Sequence, residues 1–316
     1  MKVNWFVVAL LSAIGLSFIY PEASRSNWLE SVINYGIGLI FFFYGLKLPF
    51  QTLKKGLQNT RLHILIQSFT FLVFPLLVLA FHPLLKGTDF EVYWFGFFFL
   101  ACLPSTVSSS VVMVSLARGN VPAAIFNASI SGIIGVFVTP LWINLFLTNS
   151  AQGISFNEVI VKLVVQILLP LCLGFLIQQS VKKKIAPYLH YLPLFDKTII
   201  TLLVYQSFGT SYLAGVFDSV TIPELAIIML LVLLLFFVIY FSLGALGRSL
   251  NFAIKDQITA RFCGSKKSLV HGSAMAKIIF SSSPLLGLWL LPLMIYHISQ
   301  LIIVAYIADK QMTSKS

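Results

Sequence analysis

Nine long stretches of this 316-residue chain, each of 16 residues or more, contain no Asp, Glu, Lys or Arg: residues 3–21, 31–46, 62–85, 92–117, 119–157, 163–181, 198–217, 225–247 and 278–308. A helix crossing a hydrocarbon core of roughly 30 Å needs about 20 mostly apolar residues at 1.5 Å rise each. Most of the nine runs supply that length. Soluble elements keep a polar face for water, so a succession of such runs excludes an ordinary soluble domain. Composition agrees, with 58% apolar and 10% charged residues against about 25% charged in soluble chains. The connectors are too short for a soluble domain, so residues 1–316 are expected to form a single all-α integral membrane unit.

The usual chemical signatures are missing. The sequence has no Gly-rich phosphate loop, HExxH or CxxC motif, and His63, His82, His190, His271 and His297 are scattered. Cys102, Cys172 and Cys263 stand singly in or beside apolar segments, as small core hydrophobes do. No metal site or cofactor is read, and no enzyme. The net charge of +11 suggests a nucleic-acid partner only until its placement is considered.

Grouping the connectors alternately puts Lys2, Lys47, Lys54, Lys55, Arg61, Arg118, Lys182, Lys183, Lys184, Lys197, Arg248, Lys255, Arg261, Lys310 and Lys315 on one side. The other side receives only Arg25, Lys86 and Lys162, together with Glu22, Glu30, Asp89, Glu91, Glu158, Asp218 and Glu224. Cytoplasmic loops are the basic ones, so the charge is a topology signal. It places both termini in the cytoplasm of a multi-pass protein of the plasma (inner) membrane, with the bilayer and no nucleic acid as partner. The spans expected are 4–20, 28–47, 62–84, 92–117, 120–147, 159–181, 197–216, 224–247, 257–280 and 284–308. Lys2 followed by a short apolar run also fits a signal peptide, but no small-residue cleavage site precedes Arg25.

Ten spans divide into inverted halves of five, 1–147 and 159–308, because an odd number per half turns the second upside down. Such repeats mark secondary transporters whose interrupted helices meet at the midplane. Span 4 is interrupted at Leu103-Pro104-Ser105-Thr106-Val107-Ser108-Ser109-Ser110 and span 9 at Cys263-Gly264-Ser265-Lys266-Lys267-Ser268. Pro104 removes a backbone donor and Gly264 relaxes the helix, freeing amides and carbonyls that hydrocarbon cannot satisfy. They must face protein, water or a ligand.

These motifs carry a resemblance. Leu116-Ala117-Arg118-Gly119-Asn120, the paired breaks and the five-plus-five layout resemble the bile acid:sodium symporter superfamily (solute carrier family 10). Tyr44-Gly45-Leu46, Pro104-Ser105-Thr106-Val107-Ser108-Ser109 and Gly264-Ser265-Lys266-Lys267-Ser268 are more similar to one branch, that of the bacterial bile-acid-symporter-like proteins and the seventh member of the human family. The resemblance implies panel-type spans 4–20, 28–47, 159–181 and 197–216, moving against core-type spans 62–84, 92–147 and 224–308, with spans 4 and 9 crossing at the site. It also implies a small organic anion as substrate and alternating access as the mechanism. A homodimer is compatible with it.

Carried over residue by residue, the resemblance breaks where sodium binds. The family's bridging glutamate of span 9 falls on Lys267, the glutamine four positions later on His271 and the span-3 glutamine on Thr70. The span-4 Ser-Asn pair falls on Ser110 and Val111, or on Ser109 and Ser110. The span-5 hydroxyl ligands fall near Ala124 and Ala128, with Asn127 and Ser131 close by. A degraded sodium site near Ser109 and Ser110 is what this leaves. All ten acids lie at span ends or in loops, so no buried carboxylate is expected to bind sodium or carry a proton.

The candidate substrate- and ion-binding residues are therefore Thr70, Ser105, Thr106, Ser108, Ser109, Ser110, Asn127, Ser265, Lys267, Ser268 and His271. Three readings of Lys267 stand open: a fixed charge in the old cation site, a direct ligand of the substrate anion, or, with His271, a titrating group. Coupling to sodium ion, to proton or to neither stays open with them. Blander readings accompany these. Lys266 is read as snorkelling to an interface, the serines as packing residues, His271 as a core histidine, and Phe41-Phe42-Phe43 and Phe97-Phe98-Phe99 as packing or lipid-facing aromatics. A non-transporting regulatory membrane protein is the alternative function.

Overall fold

The computed structural model describes residues 5–47, 59–88, 90–147, 156–188, 191–218, 220–280 and 283–313. Of the residues used above, His190, Lys2, Lys54, Lys55, Asp89 and Lys315 lie outside the described residues, as do the side chains of Ser108 and Lys182–Lys184.

The described chain is all-helical. In order it runs α1 (Trp5–Ile19), α2 (Asn27–Lys47), α3 (Thr60–Ser68), α4 (Phe74–Ala80), α5 (His82–Leu85), α6 (Glu91–Cys102), α7 (Ser108–Leu116), α8 (Val121–Leu147), α9 (Phe156–Leu163), α10 (Leu169–Ile185), α11 (Leu192–Leu213), α12 (Ile222–Ser249), α13 (Ile254–Gly264), α14 (Leu269–Ile279) and α15 (Leu286–Thr313). Wider π turns, Phe69–Val73 and Val164–Leu168, join α3 to α4 and α9 to α10. Each precedes a proline, Pro75 or Pro170. Proline lacks the N–H and its ring strikes the carbonyl four residues back, and one widened turn relieves the clash without ending the helix.

Among the described residues, six helical stretches are long and apolar enough to cross a membrane: Asn27–Lys47, Thr60–Leu85, Val121–Leu145, Asn157–Gln178, Ile222–Ser249 and Leu286–Ala308. The four other expected spans fall short for visible reasons. α1 has 15 residues, and α11 carries Asp196, Lys197 and a run of hydroxyl and amide side chains. α6–α7 and α13–α14 are interrupted pairs, each helix having 12 residues or fewer, which is at most about 18 Å of rise.

The chain forms two compact units. The first comprises Met1–Leu48, Gln152–Thr221 and Ser273–Leu290. Here α2 and α10 touch backbone to backbone. A Cβ added at Gly45 would lie 2.0 Å from the Leu171 carbonyl oxygen, and one at Gly174 would lie 2.0 Å from that of Phe42. Paired glycines allow such an approach, which gains dispersion where lipid provides no hydrophobic drive. One expectation is corrected in this unit. Asp196, at the start of α11, is buried. Its carboxylate accepts a hydrogen bond from Tyr44 and feels Lys47. Lying one residue before the expected span, it counted as a span-end acid, but packing against α2 encloses it.

The second unit comprises Pro49–Ala151, Ile222–Gly272 and Leu291–Ser316. Phe98 and Phe99 are fully buried in it, and Phe236 and Phe74 flank the Tyr296 ring. At one end, Asp256 gathers two helix starts. Its oxygens accept from Asn59 Nδ2 at 2.7 Å and from Asn120 Nδ2 at 2.8 Å. Both asparagines also cap their helices, accepting from the amides of Leu62 and Ala123. Asn120 of the Leu-Ala-Arg-Gly-Asn run is thereby a structural latch joining α8 to α13, and Arg118 before it adopts φ 57°.

Candidate functional site

The site lies within the second unit, where two interruptions meet. α6 ends at Cys102, Leu103 is extended and α7 begins at Ser108. α13 ends at Gly264 and α14 begins at Leu269. Each interruption frees backbone groups that must find partners, and every carbonyl from Leu100 to Pro104 has one. The Leu100 carbonyl takes the Leu103 amide. That of Cys102 takes the Thr139 hydroxyl at 2.7 Å, and that of Pro104 takes the Ser268 amide at 2.9 Å. The remaining two, on Ala101 and Leu103, accept from Lys267.

Lys267 is fully buried. Its ammonium donates to the Ala101 carbonyl at 2.6 Å, to Leu103 at 2.8 Å and to Thr70 at 2.8 Å, and stands 4.2 Å from the centre of the Phe74 ring. The three donors of an ammonium thus meet three acceptors, with an aromatic face beside them. Two prolines explain why these carbonyls are free. Thr70 lies in the π turn, and the amide five residues on would belong to Pro75, which has none. Ala101 would take the amide of Pro104 or Ser105, but proline has none and the Ser105 amide donates to Ser131 Oγ at 2.9 Å. Lys267 precedes the start of α14, where an ammonium would oppose the helix dipole, but its side chain reaches to the carbonyl end of α6, where positive charge is favoured.

Side chains also hold the second interruption. Gln300 accepts from the Lys267 amide at 2.9 Å and donates to its carbonyl at 2.8 Å, Tyr296 donates to the Ser265 carbonyl, and Ser105 Oγ donates to that of Cys263 at 2.6 Å.

The expected residues divide accordingly. Thr70 contributes its carbonyl, while its hydroxyl donates back to Ile66 at 2.8 Å. Ser105, Ser265 and Ser268 hold the two interruptions together through the bonds above, and Ser265 Oγ donates to the Arg261 carbonyl at 2.6 Å. Thr106, Ser109 and Ser110 form their own hydroxyl cluster, with Thr106 Oγ1 2.7 Å from Ser110 Oγ and accepting from Ser109 at 3.0 Å. His271 lies 3.0 Å from Ser268 Oγ, its ring against Gly132, where a Cβ would come within 2.8 Å of Nε2. Asn127 joins a separate group, 2.8 Å from His63 Nδ1 and accepting from Gln67 at 3.1 Å. Lys266 does not snorkel. It is 0% exposed and its ammonium has no hydrogen-bond partner. Sequence reasoning missed Pro75, Phe74, Thr139, Tyr296 and Gln300. The polar ones were visible as hydroxyls and an amide inside charge-free runs, and Pro75 as a proline inside another.

The described residues are helical and include six helices of membrane length, as in a multi-pass membrane protein, and the family match makes the chain a transporter. The SBF-like CPA transporter family matches residues 4–312, and the chain belongs to that family. It is 38% identical over 96% of its length to the protein PA2026 of Pseudomonas aeruginosa, covering 92% of that protein. It is 33% identical to YfeH of Escherichia coli K12, with 96% of this chain and 92% of the relative covered. It is also 28% identical to sodium/bile acid cotransporter 7 of Rattus norvegicus, with 96% and 91% covered.

Proposed function

We propose that the protein is a secondary transporter that moves a small organic anion across the plasma (inner) membrane by alternating access, with the Lys267 ammonium permanently occupying the place of a coupling cation. On this reading α1, α6–α7, α11 and α13–α14 complete ten spans in two inverted repeats, both termini are cytoplasmic, and panel-type spans move against core-type spans. The observation that carries it is the coordination of Lys267 Nζ: three backbone carbonyls at 2.6–2.8 Å from two separate elements. Freed carbonyls gathered in this way are what a transporter offers a sodium ion, and here a covalently attached charge takes them. The relatives named sodium/bile acid cotransporter 7 make a bile acid the first probe.

The test is uptake of radiolabelled cholate into proteoliposomes, in sodium-free and sodium-containing buffer at matched pH and potential. Equal rates are expected. A clear sodium requirement would refute the tethered-cation reading, and no uptake under either condition would refute transport of this anion class.

A further inference from the structure

Two adjacent lysines occupy the span-9 interruption, and their environments are opposite. Lys267 has each of its donors satisfied. Lys266 is just as buried, yet its Nζ has no acceptor. A buried ammonium without a counter-charge is among the costliest arrangements a side chain can adopt, relieved by an anion or by loss of the proton.

Among the described residues, no carboxylate is paired with Lys266. The titratable groups whose fields reach Lys266 are Cys263 on α13 and His297 on α15, with the Lys267 charge one residue away. The ion pairs found among the described residues join His82 to Glu91 and Lys277 to Glu30. Lys266 also immediately precedes α14, whose 11 residues direct the positive end of the helix dipole back toward the interruption.

We propose that Lys266 is the anion-binding residue of this site, its ammonium receiving the carboxylate or sulfonate of the transported organic anion. The inference rests on the transporter reading and deepens it: of the two lysines, Lys267 holds the architecture and Lys266 holds the cargo. Methionine is close to lysine in length and apolar, so Lys266→Met removes the charge while filling the space, and Lys266→Arg keeps the charge.

The experiment is thermal unfolding of the full chain in nanodiscs, titrated with cholate and separately with inorganic sulfate. Cholate at about a hundred times its Kd is expected to raise the wild-type Tm by roughly 5 °C. Lys266→Met should bind at least about tenfold more weakly, with a higher Tm in the absence of ligand, and Lys266→Arg should retain most of the response. Unchanged cholate binding by Lys266→Met overturns the assignment, as does a wild type that responds to neither anion. A response to sulfate alone makes this an inorganic-anion site and overturns the organic one. Proteoliposome uptake separates this inference from the reading beneath it: wild type that binds cholate through Lys266 but never moves it refutes transport and leaves the binding assignment standing.

Discussion

Truncating Lys267 to alanine tests the central feature of the fold most directly. The substitution leaves the carbonyls of Thr70, Ala101 and Leu103 without their donors, and a buried acceptor stripped of its partner costs about 1–3 kcal/mol. Three of them sum to roughly 3–9 kcal/mol, and the cavity left by the missing side chain adds to this. Against it stands the relief of no longer burying an ammonium, roughly 2.5–3.5 kcal/mol on insertion scales. The net expectation is a loss of about 3–5 kcal/mol, read as a fall in Tm on the order of 10 °C in detergent. The assay has an internal control, because three convergent carbonyls and an empty space suit a monovalent cation. Replacing choline chloride by sodium or potassium chloride should restore part of the lost stability in Lys267→Ala and do nothing to wild type. If Lys267→Ala unfolded at the wild-type temperature, the carbonyls would have other partners and the ammonium would not organise the interruption.

In the first unit, Gly45→Ala or Gly174→Ala would drive a methyl to 2.0 Å from a backbone oxygen. Either should separate α2 from α10 and lower Tm by at least several degrees, whereas Gly15→Ala, with nothing within 4 Å, should leave Tm unchanged or slightly raised.

What the sequence revealed depended on whether the signal was local. Charge-free runs report burial in lipid directly, and the Pro104 and Gly264 interruptions could be placed because those residues act on their own backbone. Lys267 stood out as a charge inside an interruption, where the resembled family carries a glutamate. Its partners did not, because they are main-chain carbonyls: Thr70 supplies an oxygen that any residue would carry, and Pro75, five positions later, makes it available. The same limit explains Asp196, whose enclosure comes from α2, far away in the chain. It explains Lys266 too, since a long side chain beside an interruption reads the same whether it reaches water or is sealed in. The serine cluster was legible as polar, but Ser105 bonding to Cys263 and Ser109 to Thr106 depend on pairings that no spacing discloses.

A charge that belongs to the polypeptide cannot be exchanged between the two aqueous phases. An ion bound at this place would arrive from one compartment and leave into the other, doing work on each cycle. On the proposed transport reading, the Lys267 ammonium would return with the protein, and any passage across the field in one half of the cycle would be undone in the other. Unless another particle accompanies it, a monoanionic cargo then crosses as net charge. An interior-negative voltage of 100 mV acts on one elementary charge with about 2.3 kcal/mol, which displaces the distribution of the cargo roughly 50-fold toward the outside. On the proposed reading, one lysine in a cage of carbonyls would let the membrane voltage act on an anionic cargo as an outward force.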